Sequence, residues 1–236
     1  MKLEPTTPSR VYIDFFQFES NRYWAFKQML LGPIAIQKTS GLQFFKFLGT
    51  GGGNGFSLRP DFGTYAVLTL WDSPRDYQNF TANHPYWKTY QKKAAYQRTI
   101  GLVPVHSHGK WNGNNPFANH IEKTTSTLAY APVAVLTRAT LNRNRLLSFW
   151  RSVPHAARTI ETAKGVLFYK GVGEWPWVQQ ATVSIWENFE AVNTFAYKHR
   201  GHAEIVRKTK AQKWYKEDLF SRFVVASDTQ FQPTIQ

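Results

Sequence analysis

Two stretches of this chain repeat each other, and an internal repeat decides more about a fold than any single motif. AVLTLWD at 66–72 returns as ATVSIWE at 181–187, 115 residues later. GLQFFKFLG at 41–49 returns as GVLFYKGVG at 165–173. With the register held, Phe80 falls opposite Phe195, His84 opposite His199 and Trp87 opposite His202. The β-branched and aromatic residues alternate in these stretches, which predicts strands. The openings of the two halves correspond as well. RVYIDFFQF at 10–18 predicts a strand followed by a helix over 22–31, and APVAVLTRA at 131–139 predicts a strand followed by a helix over 141–153. Asn142 is the expected N-cap of that second helix, and Pro154 is expected to end or kink it. Asp72 and Glu187, each following its strand Trp, are expected to cap the helices that come next. Last strands are expected at 102–106 and 220–226.

Each half therefore reads strand–helix–strand–strand–helix–strand, a ferredoxin-like split βαβ unit. Two such units pack sheet to sheet, so that each covers the other's apolar face. The expected class is α+β, with tandem ferredoxin-like repeats over 1–125 and 126–236. The segment 109–126, with its GKWNGNNP run, is the linker.

The chemistry available is narrow. The 236 residues contain no cysteine, which excludes zinc fingers, iron–sulfur clusters, thiolate-ligated haem and cysteine nucleophiles. There is no Gly-x-Ser-x-Gly elbow and no His-Glu-x-x-His. The glycine-rich GTGGGNG at 49–55 lacks the Gly-Lys-Ser/Thr ending and the following helix of a phosphate-binding loop, so it is read as a hairpin. Its counterpart in the second half is GEWPW at 173–177, two tryptophans on a hairpin tip. The net charge of +14 is spread along the chain, and no nucleic-acid-binding motif accompanies it. Nucleic acid is not the expected partner, whereas contact with an anionic membrane surface is. The start of the chain shows no secretory signal, and no run reaches the roughly 20 apolar residues of a membrane span. A cytoplasmic, peripherally membrane-associated location is the expectation.

Seven histidines carry most of the remaining options. His106 and His108, two apart on a strand, point to one face, and His120 would complete a non-haem metal site. His84 and His199 read as helix-start residues. His202 differs. On a helix over 201–215 it lies near the middle of an arc with Ala203, Ile205, Val206, Thr209 and Trp214. It is either a hydrogen-bonded core histidine or an axial ligand to haem iron. In the second case Lys210 and Lys213 reach the porphyrin propionates, and His155 is the competing ligand.

These segments carry a family resemblance. FWRSVP at 149–154, GVLFYKGVGE at 165–174, SIW at 184–186, FAY at 195–197, HAEIVRKT at 202–209 and WYKEDLFSRF at 214–223 resemble the C-terminal half of the spheroidene monooxygenases, carotenoid ketolases of phototrophic bacteria. His202, Arg207 and Thr209 match the family's Ala-His-x-x-x-x-Arg-Arg-Thr pattern. Lys208 stands where the family often has Arg, and Gly201 stands where it has Ala. The resemblance implies a dimeric α+β barrel-type fold and a haem-dependent monooxygenase. Such an enzyme would oxidise a hydrophobic, carotenoid-like substrate with O₂ and with electrons from a donor such as ferredoxin. It implies haem b on His202 (His155 as alternative), propionates met by Arg207 and Lys210, and a pocket walled by Trp150, Trp186, Tyr197 and Trp214. A homo-oligomer is compatible with it. The alternative reading is a cofactor-free oxygenase, or a non-catalytic barrel that binds a hydrophobic ligand.

Overall fold

A computed structural model describes residues 10–53, 59–122, 131–198, 207–209 and 211–232; for 154–158 and 197–198 only the backbone is described. Among these residues the first repeat contributes β1 (Val11–Gln17), α1 (Arg22–Ile36), β2 (Leu42–Gly51), β3 (Pro60–Trp71), α2 (Pro74–Asn83), α3 (Pro85–Lys93) and β4 (Tyr96–Gly109). The second contributes β5 (Val133–Leu141), α4 (Leu146–Glu161), β6 (Val166–Trp175), β7 (Gln179–Trp186), α5 (Phe189–Asn193) and β8 (Tyr215–Phe231). A π-helical turn, Thr194–Lys198, follows α5. No helix among the described residues is long and apolar enough to cross a membrane.

The two sheets have the same strand order. In the first, β1 lies between β4 and β3, antiparallel to both, and β2 flanks β3. In the second, β5 lies between β8 and β7, and β6 flanks β7. This is the ferredoxin-like arrangement expected from the repeat, and the α+β class expected from it is the one observed. By contact density the chain forms two compact units, one of residues 1–50, 61–103 and 225–236, the other of 51–60 and 104–224.

A matched device closes each repeat. Gly41 and Gly165 both have a φ of +78°, a left-handed conformation that favours glycine. Their carbonyls accept the N–H groups of Asp72 and Glu187, both at 2.8 Å. A Cβ on Gly41 would meet Asp76 at 2.7 Å, and one on Gly165 would meet Ala191 at the same distance. The acids hold this turn; the caps are the residues after them. Ser73 Oγ accepts the Asp76 N–H at 3.3 Å, and Asn188 Oδ1 accepts the Ala191 N–H at 2.9 Å.

Other local expectations are corrected. β5 runs on to Leu141, so α4 begins at Leu146. Asn142 instead donates its Nδ2 to the Lys213 carbonyl at 2.6 Å, ahead of a short 3₁₀ turn. Pro154 does not end α4, which continues to Glu161. A proline inside a helix removes one backbone bond. Here the helix is held by burial of Phe149, Trp150 and Val153 on one side. The last strands, β4 and β8, are much longer than their apolar runs.

The helix-covered face of the first sheet carries one continuous core. Tyr12 and Phe16 of β1, and Phe18 just after it, pack with Tyr65, Val67 and Trp71 of β3, and with Tyr77, Phe80, Trp87 and Tyr90 of the helices. Trp87, wholly buried, meets Phe16 edge to face at 5.3 Å and stacks on Tyr90 at 6.1 Å.

Candidate active site

The second sheet does not repeat that core. Alternation along β5 puts Val133, Val135, Thr137, Ala139 and Leu141 on one face. Val133 and Val135 join Trp186 and Val192 in one buried cluster, while Ala139 and Leu141 join Phe149, Trp150, Val153 and Trp214 in another. Between them Thr137 is exposed. Its neighbours across the sheet are Thr182 and Phe220. Among the described residues the face of β5 is thus exposed at its centre, with a buried aromatic-containing cluster at either end.

The expected wall residues divide between these ends. Trp150 donates its indole N–H to the Trp177 carbonyl at 3.1 Å. Trp214 donates to Ser148 Oγ and Gln212 Oε1, both at 3.1 Å, and Trp186 to Ser184 Oγ at 2.9 Å. Phe149 joins Trp150 and Trp214 edge to face at 5.4 and 5.6 Å. Trp186 packs instead on Phe195 at 4.9 Å. All three indoles are buried, and their N–H groups are bonded within the protein. Arg207 is exposed. His202 and Lys210 lie outside the described residues, as do the side chains of His155 and Tyr197. Trp175 and Trp177, on the hairpin between β6 and β7, are both exposed.

His106 and His108 do share a face, with Nε2 of one 3.3 Å from Nδ1 of the other. The His108 ring stacks on the Phe220 ring at 5.3 Å, and the Arg222 guanidinium lies 5.3 Å from the Phe220 ring. Burial, His108 and Arg222 together lower the His106 pKa. Phe220 is Thr137's neighbour, so two imidazoles stand beside the open face. Their spacing was legible; their approach to this face through a long β8 was not. No group of three histidines or acids with metal-site geometry occurs among the described residues, and His120 does not join the pair.

A charged cluster in the second repeat carried no sequence signal beyond a lone cation on a buried strand. Arg138, 1% exposed, points to the opposite face of β5 from Thr137. It donates to Glu217, and to Asn112 Oδ1 at 3.2 Å, and lies 3.9 Å from Glu174. Its guanidinium sits 5.5 Å from the Trp111 ring, whose N–H donates to Glu174 at 2.6 Å. Glu217 also accepts the backbone N–H groups of Asn112 and Gly113 at 2.8 and 2.7 Å. Burial works to raise the Glu217 pKa, but these two N–H groups and then Arg138 outweigh it and hold it below the usual range. The cluster pins the Trp111–Asn114 turn of the linker.

Where the second sheet has Thr137, the first has Asp14. It faces Val67 and Thr99 as Thr137 faces Thr182 and Phe220. Asp14 is fully buried. Its Oδ1 accepts from Thr99 at 2.6 Å, Tyr77 at 2.9 Å and Gln97 at 3.1 Å, while Oδ2 has no hydrogen-bond partner among the described residues. Those three donors line a cleft of about 530 Å³ with Lys88, Lys92 and Phe231. Burial pushes the Asp14 carboxyl up to about 6, against the pull of the three donors. An unfolded aspartate loses its proton near pH 3.9. Between these values the folded chain holds a proton that the unfolded chain has lost, so this contribution is present at low pH and fades as pH rises through about 6. It amounts to about 3 kcal/mol across the window. In Asp14→Asn the difference from wild type should therefore change between pH 4 and 6 and stay level above, as read from denaturant melts at each pH.

Comparison with known proteins gives this arrangement a class and a family. Aldoxime dehydratase superposes with a TM-score of 0.58 over 99% of this chain and 87% of its own, at 10% identity. A second aldoxime dehydratase structure, in complex with butyraldoxime, gives 0.57 over 94% and 82%. At such identity the likeness shows the shared fold alone, an α+β fold of the dimeric α+β barrel type. No protein-family profile matches the chain. Curated sequences do. The spheroidene monooxygenase of Rhodobacter capsulatus is 31% identical over 213 residues, 89% of this chain and 88% of that protein. That of Cereibacter sphaeroides is 32% identical over 212 residues, and this chain covers 64% of its length. That of Rubrivivax gelatinosus is 27% identical over 206 residues. The chain is an oxidoreductase of the monooxygenase class. It belongs to the spheroidene monooxygenase family.

Proposed function

We propose that the second repeat binds a haem and a linear, carotenoid-like substrate, and that one atom of O₂ enters that substrate. The observation that carries this reading is the open centre of the β5 face at Thr137, walled by Trp150 and Trp214 at one end and Trp186 at the other. An apolar group placed on this face would leave no indole polar atom unsatisfied, because those atoms are already bonded within the protein. The segment that repeats α3 carries His202 where α3 carries Trp87. A neutral imidazole there supplies a ligand for haem iron with no thiolate needed. Arg207, which is exposed, and Lys210 supply cations for the propionates. Bound haem supplies the activation of O₂. The protein's own part is to hold the porphyrin, exclude water with the aromatic walls, and align the substrate. Two electrons and two protons accompany the transfer, so that the second oxygen atom leaves as water. A donor such as ferredoxin is the proposed source, and a chain of net charge +14 complements an acidic electron carrier. We further propose a cytoplasmic enzyme, peripheral to the membrane and able to self-associate.

The test is a reconstitution. Protein loaded with haem should show a Soret band, and with a linear carotenoid, O₂ and reduced ferredoxin should yield a product heavier by an oxygen atom drawn from labelled O₂. His202→Ala should lose the band and His155→Ala should keep it. The reverse pattern would move the ligand to His155. Turnover without any Soret band would favour the cofactor-free reading.

A further inference from the structure

Helix α1 is built inside out. The residues it buries are Ala25, Gln28, Gly32 and Ile36. Those it exposes include Tyr23 at 76%, Phe26 at 51%, Leu30 at 73%, Leu31 at 47% and Ile34 at 62%, whereas Gln28 is 3% exposed. The usual amphipathic helix does the opposite. Two details hold the inversion in place. Gly32 lies so close to its neighbours that a Cβ would meet the Phe47 ring and, at 2.7 Å, the Tyr86 hydroxyl oxygen. No larger side chain fits there, so the bulky residues of the helix are turned outward. Gln28 disposes of its amide locally, donating to the Trp24 carbonyl at 2.9 Å. The exposed stripe continues onto β3, where Phe62, 54% exposed, meets Phe26 edge to face at 5.8 Å.

Scattered exposed apolar residues need no explanation, but six in one stripe mark a contact surface. We propose that this face of α1, with Phe62, docks on an anionic lipid surface. Charge decides between the occupants. Residues 22–36 contain no acid and carry Arg22 and Lys27, with Lys38 just beyond. Lys27 Nζ lies 4.9 Å from the Tyr23 ring, within the apolar stripe, as in an interfacial helix whose cations reach the headgroups. A second copy would bring the same cations and another net +14 against this face, whereas anionic headgroups complement both. The face lies in the first repeat, whereas the proposed ligand face lies in the second. The proposal deepens the membrane-peripheral part of the proposed function and names the surface that makes the contact.

The experiment needs neither haem nor carotenoid, so its failure leaves the catalytic reading standing. Full-length protein is sedimented with phosphatidylcholine vesicles, with and without phosphatidylglycerol. Binding should require phosphatidylglycerol. It should weaken about tenfold or more in Leu30→Glu/Ile34→Glu, since each side chain contributes apolar area to the contact. The milder Leu30→Asn/Ile34→Asn pair should follow the same direction with an unchanged melting curve. Three outcomes overturn the proposal: no binding by wild type, equal binding by both double variants, or a wild-type dimer in solution that these variants dissociate.

Discussion

Replacing Trp87 by alanine is expected to remove about 3–5 kcal/mol of stability, the range for deleting a large aromatic from a core. Trp87 is fully buried and touches Phe16, Phe80 and Tyr90. The loss has two parts, the apolar surface withdrawn from burial and the cavity that a close-packed cluster cannot refill. The helix it sits on is short, Pro85–Lys93, and helices of that length depend on packing rather than propensity. In a chain of this size the melting temperature should fall by about 6–20 °C. Urea melts of Trp87→Ala against wild type measure it. The informative partner is His202→Ala, the same change at the matching position of the other repeat. There, if His202 holds haem as proposed, the expected result is loss of haem and of product, more than 100-fold in turnover, a magnitude ordinary for removing a group the chemistry depends on. A large stability loss at His202 with haem binding intact would make it a core residue, and the repeat would have no functional asymmetry at that position.

The second large effect is expected at Arg138. Arg138→Met leaves Glu217 and Glu174 without the guanidinium that faces both, and Asn112 without a donor. Breaking a buried pair from one side costs about 3–5 kcal/mol, because the surviving charge keeps its desolvation without its partner. Glu217 retains two backbone N–H groups and some exposure, which places the expectation near the lower end, about 3 kcal/mol. The double variant Arg138→Met/Glu217→Gln should recover part of the loss, since removing both members of a buried pair is far cheaper than removing one. Trp111, stacked over the guanidinium, reports the same event through its fluorescence. If Arg138→Met melts like wild type, the cluster is decoration on a turn that folds without it.

The repeat was readable because the same physical demand recurs in both halves. A strand that ends on Trp and an acid must turn into a helix over a neighbouring glycine, and Gly41 and Gly165 keep that turn at the same φ. What misled was local chemistry read without its tertiary partners. Pro154 reads as a terminator or a kink, yet Phe149, Trp150 and Val153 bury enough surface to carry α4 past it. WYKEDLFSRF reads as a strand only from Phe220, because Lys216, Glu217 and Asp218 suggest solvent; Glu217 is there for Arg138. Asp14 sits in an apolar strand with nothing local to announce three donors arriving from α2 and β4. Trp150, Trp186 and Trp214 were named from the sequence, but their partition was not, and His202 lies outside the described residues. That Trp150 and Trp214 stand at one end of β5 and Trp186 at the other follows from side-chain packing between elements far apart in sequence, which no window of residues contains. The outward stripe of α1 was hidden for a related reason. A helix rich in Leu, Ile and Phe reads as interior until Gly32 shows which side is pressed against the sheet.

The uneven division of the two cores bears on how the chain can change over generations. In the first repeat one unbroken cluster ties Tyr12, Phe16, Trp71, Phe80 and Trp87 together, so a replacement at any of them is felt by the rest. In the second, among the described residues, two smaller clusters flank Thr137, and a change in one leaves the other's contacts alone. Drift should therefore be slow across α2 and α3 and quicker around the gap in β5. A lineage meeting a longer or bulkier polyene would find its permissive positions there, while the duplicated half keeps the chain folded.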